Sequence, residues 1–276
     1  MNIPATLLIS VVALSAPALA HAASVELRGV YANVVVIPED RADVAVEVHA
    51  TDGKFPNPRI TRSGDSILVD GGLDSRMNHC SSIHPGHGVR LPGYGWMSAG
   101  SALKITVHTP RNVRLTSSGA VLGDVQAAQG VELNTNGCSD WHIANVGGTL
   151  TVRQEGAASI TAGSAGKMVF DLSGFTHVDL AETHNLKVDM SGMGKVNLKS
   201  ISGPVDANLS GMGSVDIDSG RAEHVQAEVS GVGAFRLHGS ATDLDATVSG
   251  IGGVHVDHVL GAVHKSVSGI GHVSVG

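Results

Sequence analysis

The chain has 276 residues, with 18 Lys and Arg against 25 Asp and Glu, a net charge of −7. No basic cluster offsets that balance, which excludes nucleic acid as a partner. Aromatics make up 3% and glycine 36 residues, well above the usual ~7% for glycine, so the core must be narrow and aliphatic.

The first element is a targeting segment. Thr6 to Ala20 is apolar and small, and Ala18-Leu19-Ala20 or Ala20-His21-Ala22 fits an A-x-A cleavage site. The expectation is a signal peptide over residues 1–20, with an alternative cut after 22. The run is short for a membrane span and Pro17 interrupts it. Neither cysteine lies near the cut, which argues against a lipid anchor, and no later segment could span a membrane as a helix. An exported chain with one pair of cysteines most often joins them, so Cys80 and Cys138 are expected to form a disulfide.

Residues 24–276 read as a single domain of strands. Ser24–Pro38, Ala42–Ala50, Ser66–Asp70 and Leu103–Pro110 alternate apolar and polar residues with period two. Asp52-Gly53 and Pro56-Asn57-Pro58 mark turns, and no helical periodicity competes. Alternation lapses over 71–101, which reads as a long Gly/Pro-rich loop insertion. It holds His79, His84 and His87, candidate metal ligands at a spacing that matches no standard zinc pattern. It also holds Tyr94 and Trp96, which could stack on a sugar ring or clamp the loop to the rest of the fold.

A phrase then repeats to the C-terminus. It is Ser173-Gly174, then Ser191-Gly192-Met193-Gly194, Ser210-Gly211-Met212-Gly213, Ser230-Gly231-Val232-Gly233, Ser249-Gly250-Ile251-Gly252 and Ser268-Gly269-Ile270-Gly271. The serines are 18, 19, 20, 19 and 19 residues apart, and weaker copies at Ser118, Asn136 and Glu155 extend the phase upstream to nine turns. A fixed period of this length marks a solenoid. Apolar residues alternate on both sides of each Ser-Gly, as in Val205, Ala207, Leu209 and then Val215, Ile217. Two strands and a glycine corner per repeat describe one coil of a β-helix, with equivalent side chains stacked in ladders about 4.8 Å apart. The corner glycines are expected where the chain turns with positive φ or meets the next coil closely.

The order VYANVVVIPED, VAVEVHA, DSILVD, LKITVHTPRNVRLTSSG and then Ser-Gly-x-Gly repeats resembles the bacterial head GIN domain family, labelled auto-transporter adhesins. The resemblance covers roughly Val25 to Val275. It implies an all-β, right-handed parallel β-helix, exported to the periplasm or cell surface, with no catalytic centre and no cofactor. The partners it implies are a polysaccharide or a cell-surface protein. The last coil runs into Gly276, so a translocator barrel is not expected within this chain.

The chemistry of the coils favours binding. Calcium coils place an aspartate where this chain has Val196, Val215, Phe235, Val254 and Val273, and apolar side chains cannot ligate calcium. The GxG steps precede no helix and so are not dinucleotide fingerprints. Serines that recur on every coil read as corner residues, not nucleophiles. A carbohydrate-active enzyme is the alternative, and its best candidate column is Asp218, His238 and Asp257, each eight residues after its serine. A metal-binding envelope protein is a third reading, resting on 15 scattered histidines. Lys265 continues the inward column Ala207, Ala227, Ala246, where a buried ammonium would be costly. That places it as a polar cap on the final coil.

Overall fold

A computed structural model describes residues 23–49, 57–73, 83–84, 88–91 and 95–276. The proposed signal peptide, His79, Cys80, His87 and Tyr94 lie outside these described residues, and the side chain of His84 is not described either. The chain forms a β-solenoid of about nine turns with a spacing of about 19 residues.

The chain opens with β1 (Ser24–Glu39), β2 (Ala45–His49), β3 (Arg59–Ser63) and β4 (Ser66–Asp70). Next come three short strands, β5 (Ile83–His84), β6 (Gly88–Leu91) and β7 (Gly95–Met97), and then β8 (Leu103–Pro110). The coils proper follow: β9 (Asn112–Val125), β10 (Gly130–Ile143), β11 (Val146–Ala162), β12 (Ala165–Leu172), β13 (Phe175–Met190) and β14 (Met193–Ile201). They continue through β15 (Val205–Leu209), β16 (Met212–Ile217), β17 (Arg221–Val229), β18 (Val232–Val248), β19 (Ile251–Val259), β20 (Val263–Val267) and β21 (Ile270–Val275).

Pairing between coils is parallel and in phase. Gly137 stands between Gly119 and Gly156, and Cys138 between Ala120 and Ala157. Downstream, Val188, Ala207, Ala227, Ala246 and Lys265 form one continuous column, as the repeat requires. The interior is an aliphatic stack from Val25 to Val256. A fully buried Val or Leu contributes roughly 1.5–3 kcal/mol relative to exposure. Trp141 is the largest buried side chain, and a Cβ on Gly123 of the coil before would collide with its ring. That glycine makes room for the indole. A small polar column also runs inside: Ser117 donates to Thr135 (3.1 Å), Thr135 to Ser139 (3.1 Å), and Thr176 to Gln154.

The glycine corners work in two ways. Gly137 has φ +101°, open to glycine but strained for other residues. In the later coils close approach dominates: a Cβ on Gly211 would overlap the carbonyl oxygen of Gly192 on the coil before.

The N-terminal end is built out of sequence order. β4 and β8 pair with one edge of β1, and β9 pairs with the other. So β1 is inserted between β8 and β9, although only Arg111 separates those two strands in the chain. β2 pairs antiparallel with β8, and β3 antiparallel with β4. The hairpin strand Arg59–Ser63 carries little apolar alternation, which is why the sequence did not mark it. Within the insertion at 71–101, β5, β6 and β7 form an antiparallel three-stranded sheet, so the described part of this segment is structured.

Candidate functional site

The six coils from Ser173 onward present the same outward columns after their Ser-Gly corners. Two residues past the serine stand Phe175, Met193, Met212, Val232, Ile251 and Ile270, paired in that order from coil to coil. All but Met193 are more than half, or fully half, exposed, rising to 80% at Ile270. Offset two has the parity of the outward positions, so the solenoid cannot take these side chains in. The sequence held that signal: six large apolar residues at one phase, on the polar side of the alternation.

The next outward column is small in the middle and bulky at its ends: Lys195, Ser214, Ala234, Gly253, His272. The third is polar: Asp179, Asn197, Asp216, Arg236, His255, Ser274. The small side chains leave a trough of about 660 Å3 with Val232, Ile251 and Ile270 on one side and Arg236 and His255 on the other.

The polar wall is internally bonded. Asp216 receives Lys195 (3.1 Å) and Arg236 (3.0 Å), with a hydrogen bond from Ser214 at 3.3 Å. Burial pushes this carboxyl up, but the hydrogen bonds from Arg236 and Lys195 outweigh it and hold the pKa below the ordinary value. One coil beyond Arg236, His255 bonds Ser274 Oγ (2.8 Å) through Nδ1 and Asp257 Oδ1 (3.1 Å) through Nε2. His238 approaches the same Asp257 oxygen at 3.5 Å. Of the column Asp218, His238, Asp257, the structure brings the last two together and adds His255. Asp218 is exposed and, among the described residues, joins no ion pair or side-chain hydrogen bond. Among the described residues, no three His, Cys, Asp or Glu side chains are grouped to hold a metal ion.

A second cavity of about 370 Å3 lies at the N-terminal end, lined by Asn33, Val35, Leu122, Asp124, Asp140 and His142. His142 Nδ1 meets Asp124 Oδ2 at 2.9 Å. Burial raises the pKa of Asp140, partly countered by His142. Two carboxyls of unlike environment beside a histidine could move a proton.

The insertion is anchored by Met97, which is buried, and by Tyr31, whose hydroxyl donates to the carbonyls of Met97 (3.3 Å) and Ser98 (2.8 Å). Burial pushes the Tyr31 phenol up to about 12. Trp96 is 63% exposed. Its indole therefore faces water, where a stacking ligand could reach it, and Met97 beside it does the clamping. Cys138 is buried in β10, against which β5 packs.

Comparison with known proteins decides the family. The family described as "Putative auto-transporter adhesin, head GIN domain" matches residues 89–258, well over half of the chain. This chain belongs to that family. Its GIN match takes in the ladder from Phe175 to Ile251 and stops before the last coil. No curated protein matches the chain. A solved structure titled "Crystal structure of Putative lipid binding protein from Parabacteroides distasonis ATCC 8503" is similar at 17% identity, over 92% of each chain, with a TM-score of 0.49. No helix of the described residues is long and apolar enough to cross a membrane.

Proposed function

We propose that this GIN-domain chain is an exported, non-catalytic binding module of the bacterial cell envelope, adhesin-like in role. The observation that carries the reading is the repeated outer face. Six coils present the same columns in register, giving a strip about 24 Å long at the spacing of paired strands. A strip of that form suits an extended partner, whereas catalysis needs one point of convergence. The partner class proposed is a polysaccharide or a cell-surface protein. Exposed Trp96 offers an aromatic platform for it, with Tyr94 two residues before.

Two further parts belong to this proposal. Residues 1–20 act as a cleaved signal peptide, consistent with a family of surface adhesins. Cys80 pairs with Cys138, tying the insertion to the coils; the packing of β5, three residues after Cys80, against β10 supports that pairing.

The test is retention of the purified chain on a panel of immobilised polysaccharides, with the length of each glycan measured afterward. Retention with intact glycans, weakened by Trp96→Ala, is the expected result. Shortened glycans would overturn the non-catalytic reading and direct attention to Asp124, Asp140 and His142.

A further inference from the structure

We propose that the cavity beside the insertion is a sugar subsite, which seats one pyranose ring of a neutral glycan. The inference rests on the adhesin reading and deepens it, by giving the polysaccharide class named there an anchor point.

The cavity lies on the same outer face as the repeated strip. Leu122, Asp140 and Ser159 stand in one column that continues into His177 and Lys195. Asp124, His142 and Thr161 stand in the next, which continues into Asp179 and Asn197. On β1, Asn33 and Val35 extend these two columns by one strand. A glycan lying along the strip therefore runs into the cavity without leaving the face.

The insertion supplies a wall. Tyr31, Ala120 and Cys138 each lie two residues before Asn33, Leu122 and Asp140 and share their outward parity, yet all three are buried. The Tyr31 hydroxyl donates to the carbonyls of Met97 and Ser98, so the insertion covers that column. The cavity, of about 370 Å3, begins at the next one. Trp96, one residue before buried Met97, stands exposed on the cover, where a further sugar ring can stack.

The lining has two chemistries. Leu122 and Val35 form an apolar floor, and Asp124, Asp140 and His142 a polar rim. Asp140 is half-buried, and among the described residues its carboxylate joins no hydrogen bond or ion pair. Burial pushes its pKa up. A carboxylate so placed gains from a ligand that donates hydrogen bonds to it. Asp124 bonds His142 through Oδ2 and keeps Oδ1 as an acceptor.

This lining selects its ligand. Two carboxylates repel uronates and phosphates, with Lys104 beside Asn33 as one cation against them. A bare cation would use the carboxylates and leave the apolar floor uncovered. A pyranose uses both: its C–H face covers Leu122 and Val35, and its edge hydroxyls donate to Asp140 and Asp124. The volume of about 370 Å3 is near the low end of the ~300–1,000 Å3 of ligand pockets, which suits a single ring.

The test compares the purified chain with Val35→Trp and Asp140→Asn on immobilised mannan, dextran, curdlan and alginate. The His142 ring signals are followed by NMR while glucose, mannose or N-acetylglucosamine is added. Val35→Trp fills the cavity from an exposed position and leaves its charges unchanged. The expected result is retention on at least one neutral glycan, weaker by about tenfold or more in both variants, with His142 shifted by a free sugar. Retention that Val35→Trp leaves intact would overturn the subsite and leave the adhesin reading standing. Asp140→Asn, of the same shape as the native residue, decides instead if the larger residue lowers the melting temperature. Stronger retention on alginate than on every neutral glycan would overturn the subsite as well. No retention on any glycan, with His142 unmoved by all three sugars, would overturn the subsite and the polysaccharide reading together.

Discussion

Asp216 is held by two cations on neighbouring coils, and this has a pH consequence. Its side chain is mostly shielded, with Lys195 and Arg236 both within 3.1 Å. Because its folded pKa is lowered, the carboxylate stabilises the fold fully above its ordinary pKa of about 3.9, and that contribution is lost as pH falls through the folded value. Asp216→Asn should therefore cost about 1 kcal/mol at pH 7, where it also leaves two like charges facing each other. At pH 2 the cost should be smaller. Urea unfolding at the two pH values measures the difference; an equal loss at both would show that the ion pairs contribute nothing. The corner glycines carry a different constraint at the same scale. Gly211 is fixed by the carbonyl of Gly192, not by a torsion of its own. The repeat of glycine therefore records the distance between coils.

At the scale of elements, the insertion is an added part tied down at few points. Its small sheet is anchored through buried Met97 and the two hydrogen bonds from Tyr31. Cys80–Cys138 would supply a covalent tie to β10. Denatured, unreduced protein should show no free thiol on titration, and reduction should speed proteolytic cleavage within 71–101 while the coils stay intact. Two titratable thiols would remove the pairing. The alternation of β8 through β21 was legible because a strand with one face in the core must alternate. The insertion was not, because strands of two to four residues are too short to show a period.

For the whole molecule, the two ends differ. At the N-terminal end, β2 and β3 run antiparallel along β8 and β4 and cover the parallel edge. At the other end, β20 and β21 leave one edge unpaired among the described residues, and Val263, Val267 and Leu260 are exposed there. Lys265 stands in the inward column above Ala246, yet it is exposed, and its ammonium donates to the Val273 carbonyl at 3.4 Å. A charged group over the end of an apolar stack discourages another stack from docking on it. Lys265→Val should therefore add end-on assemblies, visible in sedimentation as species that grow with concentration. An unchanged distribution would show that the lysine does not guard this end.

The sequence by itself determined the coil. Period-two alternation, glycine at the corners and a 19-residue step admit one arrangement, because register between stacked coils is fixed by burying every inward Val, Leu and Ile at once. It also determined which positions face outward, since alternation about the buried residues fixes their parity. Only the tertiary structure decided which outward columns become neighbours. Asp257 meets His238, and Asp216 meets Lys195 and Arg236, through side-chain reach across coils that spacing does not encode. The insertion of β1 between β8 and β9 was decided there too. Its partners lie on both sides of it in space but all after it in the chain. A local pattern cannot choose among such distant strands, since the choice depends on which pairing buries the end of the core.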